Sequence, residues 1–525
     1  MRWRPLGLVA TFVSALIALP IGFILTQLLF ARTDLWDHLA STLLPTYLRE
    51  TLILVVSVST SAAVIGIAAA WLIVMCRFPG RRLFEWLMVV PLAIPAYVLA
   101  YVYYEMTSAG GPLSSPAIPS LASLPGATFV LTLTLYPYVY LMVRASFLQQ
   151  SASLIDATRT LGAGPWTLFI QVVLPMARPA MVIGVALVAM ETMADFGAVS
   201  LLGVQTFTTG IYRTWFSLGD PVAAAHLAAI FLLPVILLFT FERFSRRRVR
   251  YDEDAAPSYR PAAIALAPAK AAAASLFCTL VVFFAVLLPV GRLAQLTMNT
   301  RSSALWNKLA GLAWNSFSIG LITAVTALVL GLVIIYGVRH QGGAILRLTA
   351  RLASFGYAVP GPVIAVGTLL PLAAFDNWLA DGILAITGVD PGLLLTGGLA
   401  ALVLAYLIRF MTVALGAIDA GMAKVRPSLD AAAAVLGASP LRRLVTVQLP
   451  LIWPSLLTAA IVVMVDVIKE LPATLVLRPF NFDTLAVATF DLARDERLAE
   501  AALPALALVA IGLLPVIILT RRWHR

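Results

Sequence analysis

The 525-residue chain has little charge: Asp, Glu, Lys and Arg make up 12% of it, while 61% is hydrophobic. Soluble domains carry about 25% charged residues. The scarcity of charge therefore argues against a water-exposed globular surface. Cysteine is nearly absent. Cys76 and Cys278 lie far apart in apolar stretches, which supports neither a disulfide framework nor a metal site and leaves them as small packing residues. A phosphate-binding G-x-x-x-x-G-K-[ST] loop is missing, so the chain lacks that means of binding nucleotide. Polar helix faces are missing too. Runs such as "LGLVATFVSALIALPIGFILTQLLF" have almost no polar side.

Long apolar runs are what the sequence does have. Each is roughly 20 residues, enough to cross a hydrocarbon core of about 30 Å. They predict an all-α, polytopic transmembrane protein of about 12 spans. These fall near 8–30, 51–76, 83–105, 127–148, 176–202, 223–242, 271–297, 315–337, 350–373, 392–415, 454–476 and 500–520. The formal net charge of +11 follows the membrane rather than a nucleic acid. With the N-terminus inside and sides alternating, roughly 26 of the 36 Lys and Arg fall on the inner side. "RFPGRR", "FERFSRRRVR" and "RRWHR" are all on that side. The first apolar run is longer than a signal-peptide core and has no clear small-x-small cleavage site, so an uncleaved span is expected.

Two half-polar stretches interrupt this pattern, "SLIDATRTLGAGPWTLFIQVVLP" from Ser153 and "SLDAAAAVLGASPLRRLVTVQLP" from Ser428. Residues 153–179 match the chain 275 positions on at 11 of 27 places, without a gap. Further upstream, "AIPAYV" around Pro95 resembles "AVPGPV" around Pro360 at an offset of 265, which an insertion of about ten residues in the second half would reconcile. The expected plan is two parallel six-helix repeats, 1–250 and 271–525, joined by a charged, proline- and alanine-rich cytoplasmic linker at 251–270. Within the first stretch Ser153 is a plausible N-cap with Asp156 three residues on. Gly162 and Gly164 permit a tight turn, and Pro165 suits the start of a second short helix. Such an element is too polar to span and too ordered for a loose loop, and it reads as a docking site for a cytoplasmic partner.

Its spacing resembles the coupling-loop motif E-A-A-x3-G-x9-I-x-L-P of ABC-importer permeases. Asp156, Ala157, Gly162 and Pro175 match in the loop 149–175, and Ala431, Ala432, Gly437 and Pro450 match in the loop 424–450. The motif's acid is kept as Asp156 but replaced by Ala431, with Asp430 one residue early. The resemblance implies the type I ABC-importer permease fold and a non-catalytic subunit seated on a cytoplasmic ABC ATPase homodimer. ATP and Mg would be bound by that partner, with no cofactor in this chain.

Beyond the loops, Glu191 and Asp195 lie four apart on one helical face, and the same offset places Asp466 and Glu470 at the corresponding points of the second half. A charge in a membrane costs roughly 2.5–3.5 kcal/mol on insertion scales and faces a cavity or a partner. Two readings follow: a transient acidic path for a hard cation, with no stable metal site, or structural pairs and helix caps, with Lys469 as a counter-ion. "ETMADFGAVSLLGVQTFTTGIYRTWFSLGD" and "KELPATLVLRPFNFDTLAVATFDLARDERLAEAALPAL" resemble fused permeases of ferric-iron importers. That resemblance implies Fe(III) delivered by a periplasmic binding protein across a bacterial inner membrane, both termini being cytoplasmic. Related fused permeases carry thiamine or phosphonates, and an ion-coupled secondary transporter is the alternative of another class. Segments 203–222 and 477–500 would face the binding protein, with Asp220, Arg213, Asp483, Arg494, Asp495, Glu496 and Arg497 as candidate contacts. Lipid is the other expected partner; nucleic acid is not.

Overall fold

A computed structural model describes residues 4–30, 33–115, 120–150, 152–248, 263–299 and 303–521. Among these the regular secondary structure is helical apart from one two-residue parallel pairing, Cys76–Arg77 with Ile264–Ala265. Ten helices are long and apolar enough to cross a membrane, and two sharply bent helix pairs bring the number to as many as 12. One of these bends, and a further helix break in the second half, fall where sequence suggested continuous spans. The span expected at 83–105 is Arg81–Ala93 followed, at 91°, by Ala96–Thr107. The span expected at 350–373 becomes Ala344–Ala353, a short turn at Gly356–Ala358, and the helix Gly361–Thr387. Proline explains both breaks. Pro95 and Pro360 open their helices with near-identical backbone angles, φ −59° and ψ 140° against φ −59° and ψ 142°. The ring fixes φ and the missing N–H cannot continue the preceding turn.

Contacts sort the chain into two compact units that do not follow the two sequence halves. One comprises Met1–Trp36, Ile211–Leu232 and Ser302–Ala488; the other comprises Asp37–Gly210, Leu233–Arg301 and Thr489–Arg525. The first unit thus takes its N-terminal helix, Arg4–Thr26, from the opposite half of the sequence. Ser14 donates to Thr349 at 2.7 Å there, and Gly337 lets Ala10 approach so closely that an added Cβ would stand 2.8 Å from it. The second unit likewise holds Pro268–Val282 from beyond the linker, where Ser275 donates to the Pro79 carbonyl at 3.0 Å. Residues 249–262, which contain most of the expected linker, lie outside the described residues.

Small residues set the packing of the second unit. A Cβ on Gly66 would meet Val139 at 2.8 Å, and one on Gly184 would meet the Val139 backbone at 2.9 Å. The helices Leu44–Met75 and Arg178–Ala194 therefore both close on Leu124–Gln149 at Val139, the close approach that small residues allow where lipid supplies no hydrophobic drive. Cys76 and Cys278 are buried and unbridged.

Candidate functional site

Each polar stretch folds as a helix, a glycine turn, a second short helix and then a membrane span. In the first, Ala152–Thr160 ends at Gly162, whose φ of +83° lies in the left-handed region that a side chain disfavours. Pro165 opens the next helix, Pro165–Leu168, as its sequence position suggested. In the second, Pro427–Val435 ends at Gly437 with φ +80°, and Ser439 caps Pro440–Arg443 by accepting from the Arg442 amide at 3.3 Å. A π-helical turn follows in both, Phe169–Val173 and Leu444–Gln448, at the same offset as the sequence repeat. Sequence placed Ser153 as an N-cap, but the helix already begins at Ala152, so Ser153 lies in its first turn.

Internal bracing differs between the two. In the first stretch Asp156 faces Arg159 one turn on at 3.6 Å, and its side chain is 42% exposed. Gln150 donates to the Val173 carbonyl at 2.9 Å. In the second, Asp430 is drawn inward. It accepts from Arg443 and from Gln448, each at 2.9 Å, tying the first helix to the π-turn. Tyr336 adds a donation to the Pro440 carbonyl at 3.1 Å. The exits differ as well: Pro165–Met176 meets Arg178–Ala194 at a 70° bend, whereas Pro440–Lys469 runs on as one helix.

Ala157, Gly162, Ala431, Ala432, Gly437 and Pro450 are exposed and Pro175 partly so. Beside them stand two leucines that sequence reasoning passed over. Leu161 is 88% exposed, and Leu436, its equivalent in the second stretch, is 87% exposed. A large apolar side chain is thus bared at the same point of both stretches. The signal was present in the shared Leu-Gly of "TLGAG" and "VLGAS".

The four carboxylates divide between the units, Glu191 and Asp195 in one, Asp466 and Glu470 in the other. Asp195 and Glu470 end their helices, Arg178–Ala194 and Leu449–Lys469, and cap the short helices that follow. Asp195 accepts from the Val199 amide at 3.0 Å. Glu470 accepts from the amides of Ala473 and Thr474, both at 3.1 Å, and from the guanidinium of Arg409 at 3.1 Å. Arg409 was missed in the sequence, although a lone arginine inside an apolar run is itself a signal. Gly361 makes room for it: a Cβ there would stand 2.8 Å from the guanidinium. Asp466 pairs with Lys469 at 3.6 Å, and Glu191 is partly exposed one turn before Asp195. Another buried carboxylate, Asp376, accepts from the amides of Leu394, Leu395 and Thr396 at 2.9 to 3.1 Å and fastens the loop after its helix. No group of three or more metal-ligating side chains occurs among the described residues.

On the segments expected to face outward, Asp220 caps Pro221–Arg248 by accepting from the Ala223 amide at 2.9 Å. Asp483 pairs with Arg478, and Arg497 with Glu500. Arg213 and Arg494 fall in the last turns of Phe207–Phe216 and Leu485–Arg494. Asp495 is exposed, and Glu496 adopts a left-handed φ of +59°.

Comparison with known proteins places this architecture. Residues 62–251 match the family described as binding-protein-dependent transport system inner membrane component. The chain is 26% identical to an Fe(3+)-transport system permease protein of Haemophilus influenzae over 478 residues, 90% of this chain and 89% of that one. It is 28% identical to a sulfate transport system permease protein of Escherichia coli over 259 residues, 46% of this chain and 94% of the relative. A molybdenum transport system permease protein of Escherichia coli is 30% identical over 198 residues, 35% of this chain and 86% of the relative. These relatives are transport subunits rather than enzymes, and an ion-coupled secondary transporter is set aside by them. The chain belongs to the family of binding-protein-dependent transport system inner membrane components and is a multi-pass inner-membrane permease subunit of an ABC importer.

Proposed function

We propose that this permease imports Fe(III), delivered by a periplasmic binding protein and driven by a cytoplasmic ABC ATPase homodimer seated on the two polar stretches as coupling loops. The observation that carries the substrate is the match to an Fe(3+)-transport permease along nearly the whole of both chains. The sulfate and molybdenum relatives match about half of this chain or less. The two loops, alike in glycine turn, π-turn and bared leucine, support two equivalent docking points and, with the sequence match between them, an ancestral duplication. The positive-inside bias supports cytoplasmic termini.

The mechanical logic lies in what each loop is attached to. At about 1.5 Å per residue, the 17-residue helix Arg178–Ala194 is about 25 Å long and the 21-residue helix Leu449–Lys469 about 31 Å. Each joins a coupling loop at one end to a carboxylate-capped break at the other. When the ATPase dimer closes on nucleotide, a displacement of the loop is carried along a rigid helix to Asp195 or Glu470. The chain hydrolyses nothing; its residues hold two partners and relay their motion. Glu191, Asp195, Asp466 and Glu470 supply hard oxygen atoms for a cation in transit, and Asp195 and Glu470 also fix the breaks. No resident metal is required.

Uptake of labelled Fe(III), sulfate and molybdate by cells producing the permease with its ATPase and binding protein tests the substrate. Iron uptake that falls when Asp195→Ala and Glu470→Ala are combined, with the protein still inserted and folded, supports the reading. Sulfate or molybdate uptake in place of iron overturns it.

A further inference from the structure

A groove of about 820 Å³ runs along the helix Leu44–Met75, walled by Ala63, Ile67 and Trp71, by Trp166 and Phe169 of the first coupling loop, and by Phe277. Its volume lies within the range of about 300–1,000 Å³ that specific ligand sites occupy. The lining is almost wholly apolar and belongs mostly to membrane-spanning helices, so the medium that meets it is lipid chain. Trp71 packs on Phe169 with ring centroids 4.7 Å apart, and Trp166 lies 5.6 Å from the same ring. Tryptophans of this kind mark the level where hydrocarbon gives way to headgroups.

Just past that level the chain turns sharply basic. "CRFPGRR" carries Arg77, Arg81 and Arg82 with no acid among them, and the next acid, Glu85, is paired with Arg144. Arg81 holds this loop against the groove. Its guanidinium donates to the carbonyls of Ile73 at 2.6 Å and Val74 at 3.2 Å, directly after the groove residues Trp71 and Leu72. The far wall is tied to the same loop, because Ser275, two residues before Phe277, donates to the Pro79 carbonyl. Arg77 and Arg82 are left exposed around a second hollow of about 640 Å³. Basic pockets at the cytoplasmic end of membrane helices suit anionic headgroups.

We propose that this groove and its basic rim form a specific site for an anionic diacyl phospholipid, one acyl chain lying against Ala63–Trp71 and the phosphate between Arg77 and Arg82. The second loop shows what an occupant would do. Leu444 and Leu449, the equivalents of Phe169 and Leu174, pack, partly buried, against a cluster of buried Ile418, Met422, Ile452 and Leu456. Lipid binding at this groove does not depend on the proposed role of the loops.

The test is retention of lipid by the purified full-length chain after exchange into an equimolar mixture of phosphatidylglycerol and phosphatidylcholine, counted by mass spectrometry of the intact protein. The wild type keeps one phosphatidylglycerol in preference to phosphatidylcholine. Arg77→Gln with Arg82→Gln weakens that preference by roughly 30-fold, as the loss of two basic contacts requires. Ala63→Trp, which fills the groove, removes the retained molecule whatever its headgroup. Both arginines are exposed, so their double variant still decides the matter should Ala63→Trp fail to fold. Equal retention of the two lipids by the wild type, or a preference unchanged in the arginine double variant, overturns the proposal. Neither outcome bears on whether iron is carried.

Discussion

The two polar stretches, proposed above as coupling loops, have almost the same backbone but opposite ways of holding themselves. In the first, Asp156 sits on the loop surface beside Arg159 and the space behind the π-turn is open. In the second, Asp430 is engaged by Arg443 and Gln448, and Leu444 of the π-turn and Leu449 just after it pack, partly buried, against a buried cluster. One acid shifted by a single residue accounts for the first contrast. On a helix that step rotates a side chain by about 100°, from the face a partner can reach to the face that meets the next helix. The first loop leaves its charge at the surface beside Arg159; the second uses it for its own rigidity.

Disabling both turns at once should have the largest effect. Gly162→Val with Gly437→Val forces a β-branched residue to positive φ, at roughly 1–3 kcal/mol per site. Labelled-iron uptake in that variant is expected to fall at least a hundredfold, with the ATPase no longer co-purifying; retention of both would show that the turns do not shape the docking surface. Next comes the contrast between the carboxylates. Glu470→Ala strands Arg409 beside Gly361, and removing one partner of a buried pair costs about 3–5 kcal/mol. Asp195→Ala removes a helix cap worth about 0.5–2 kcal/mol. Thermal melts of the two single variants should therefore separate clearly, with Glu470→Ala the lower, and Arg409→Met should recover part of its loss. Equal melting temperatures would mean that the pair braces nothing.

A smaller effect is expected from Asp430→Ala, which releases two hydrogen bonds in a half-exposed setting and should cost about 1 kcal/mol. Asp156→Ala should leave stability within about 0.5 kcal/mol, since an exposed pair of this kind contributes little. Its effect should appear instead in affinity for the ATPase, measured by titration onto the purified permease. If Asp430→Ala weakened the ATPase contact and Asp156→Ala did not, the contrast between the loops would be reversed.

Much of this was legible in the sequence because membranes write simply. Apolar runs gave the spans, the repeated Gly-to-Pro spacing gave both loops, and φ at Gly162 and Gly437 agrees with the turn that glycine suggested. The broken helices were less legible. Pro95 and Pro360 interrupt runs that stay apolar on both sides, so hydropathy carries straight across the bend. The π-turns have no residue signature, being a slip in hydrogen-bond register. The exchange of N-terminal helices between halves could not be read at all, because which helix packs where is a tertiary matter that a repeat search along the chain does not see. The Arg409–Glu470 pair was hidden for the same reason: its members are 61 residues apart.

Both loops are proposed to be covered together by one dimeric partner. Leu161 and Leu436, each almost fully exposed, report on it directly. In a chain with Cys76→Ala and Cys278→Ala, Leu161→Cys and Leu436→Cys would be labelled separately with a maleimide, with and without the ATPase. Both positions should label fully in the permease alone and become protected to the same extent in the complex; protection of one with continued full labelling of the other would contradict the claim.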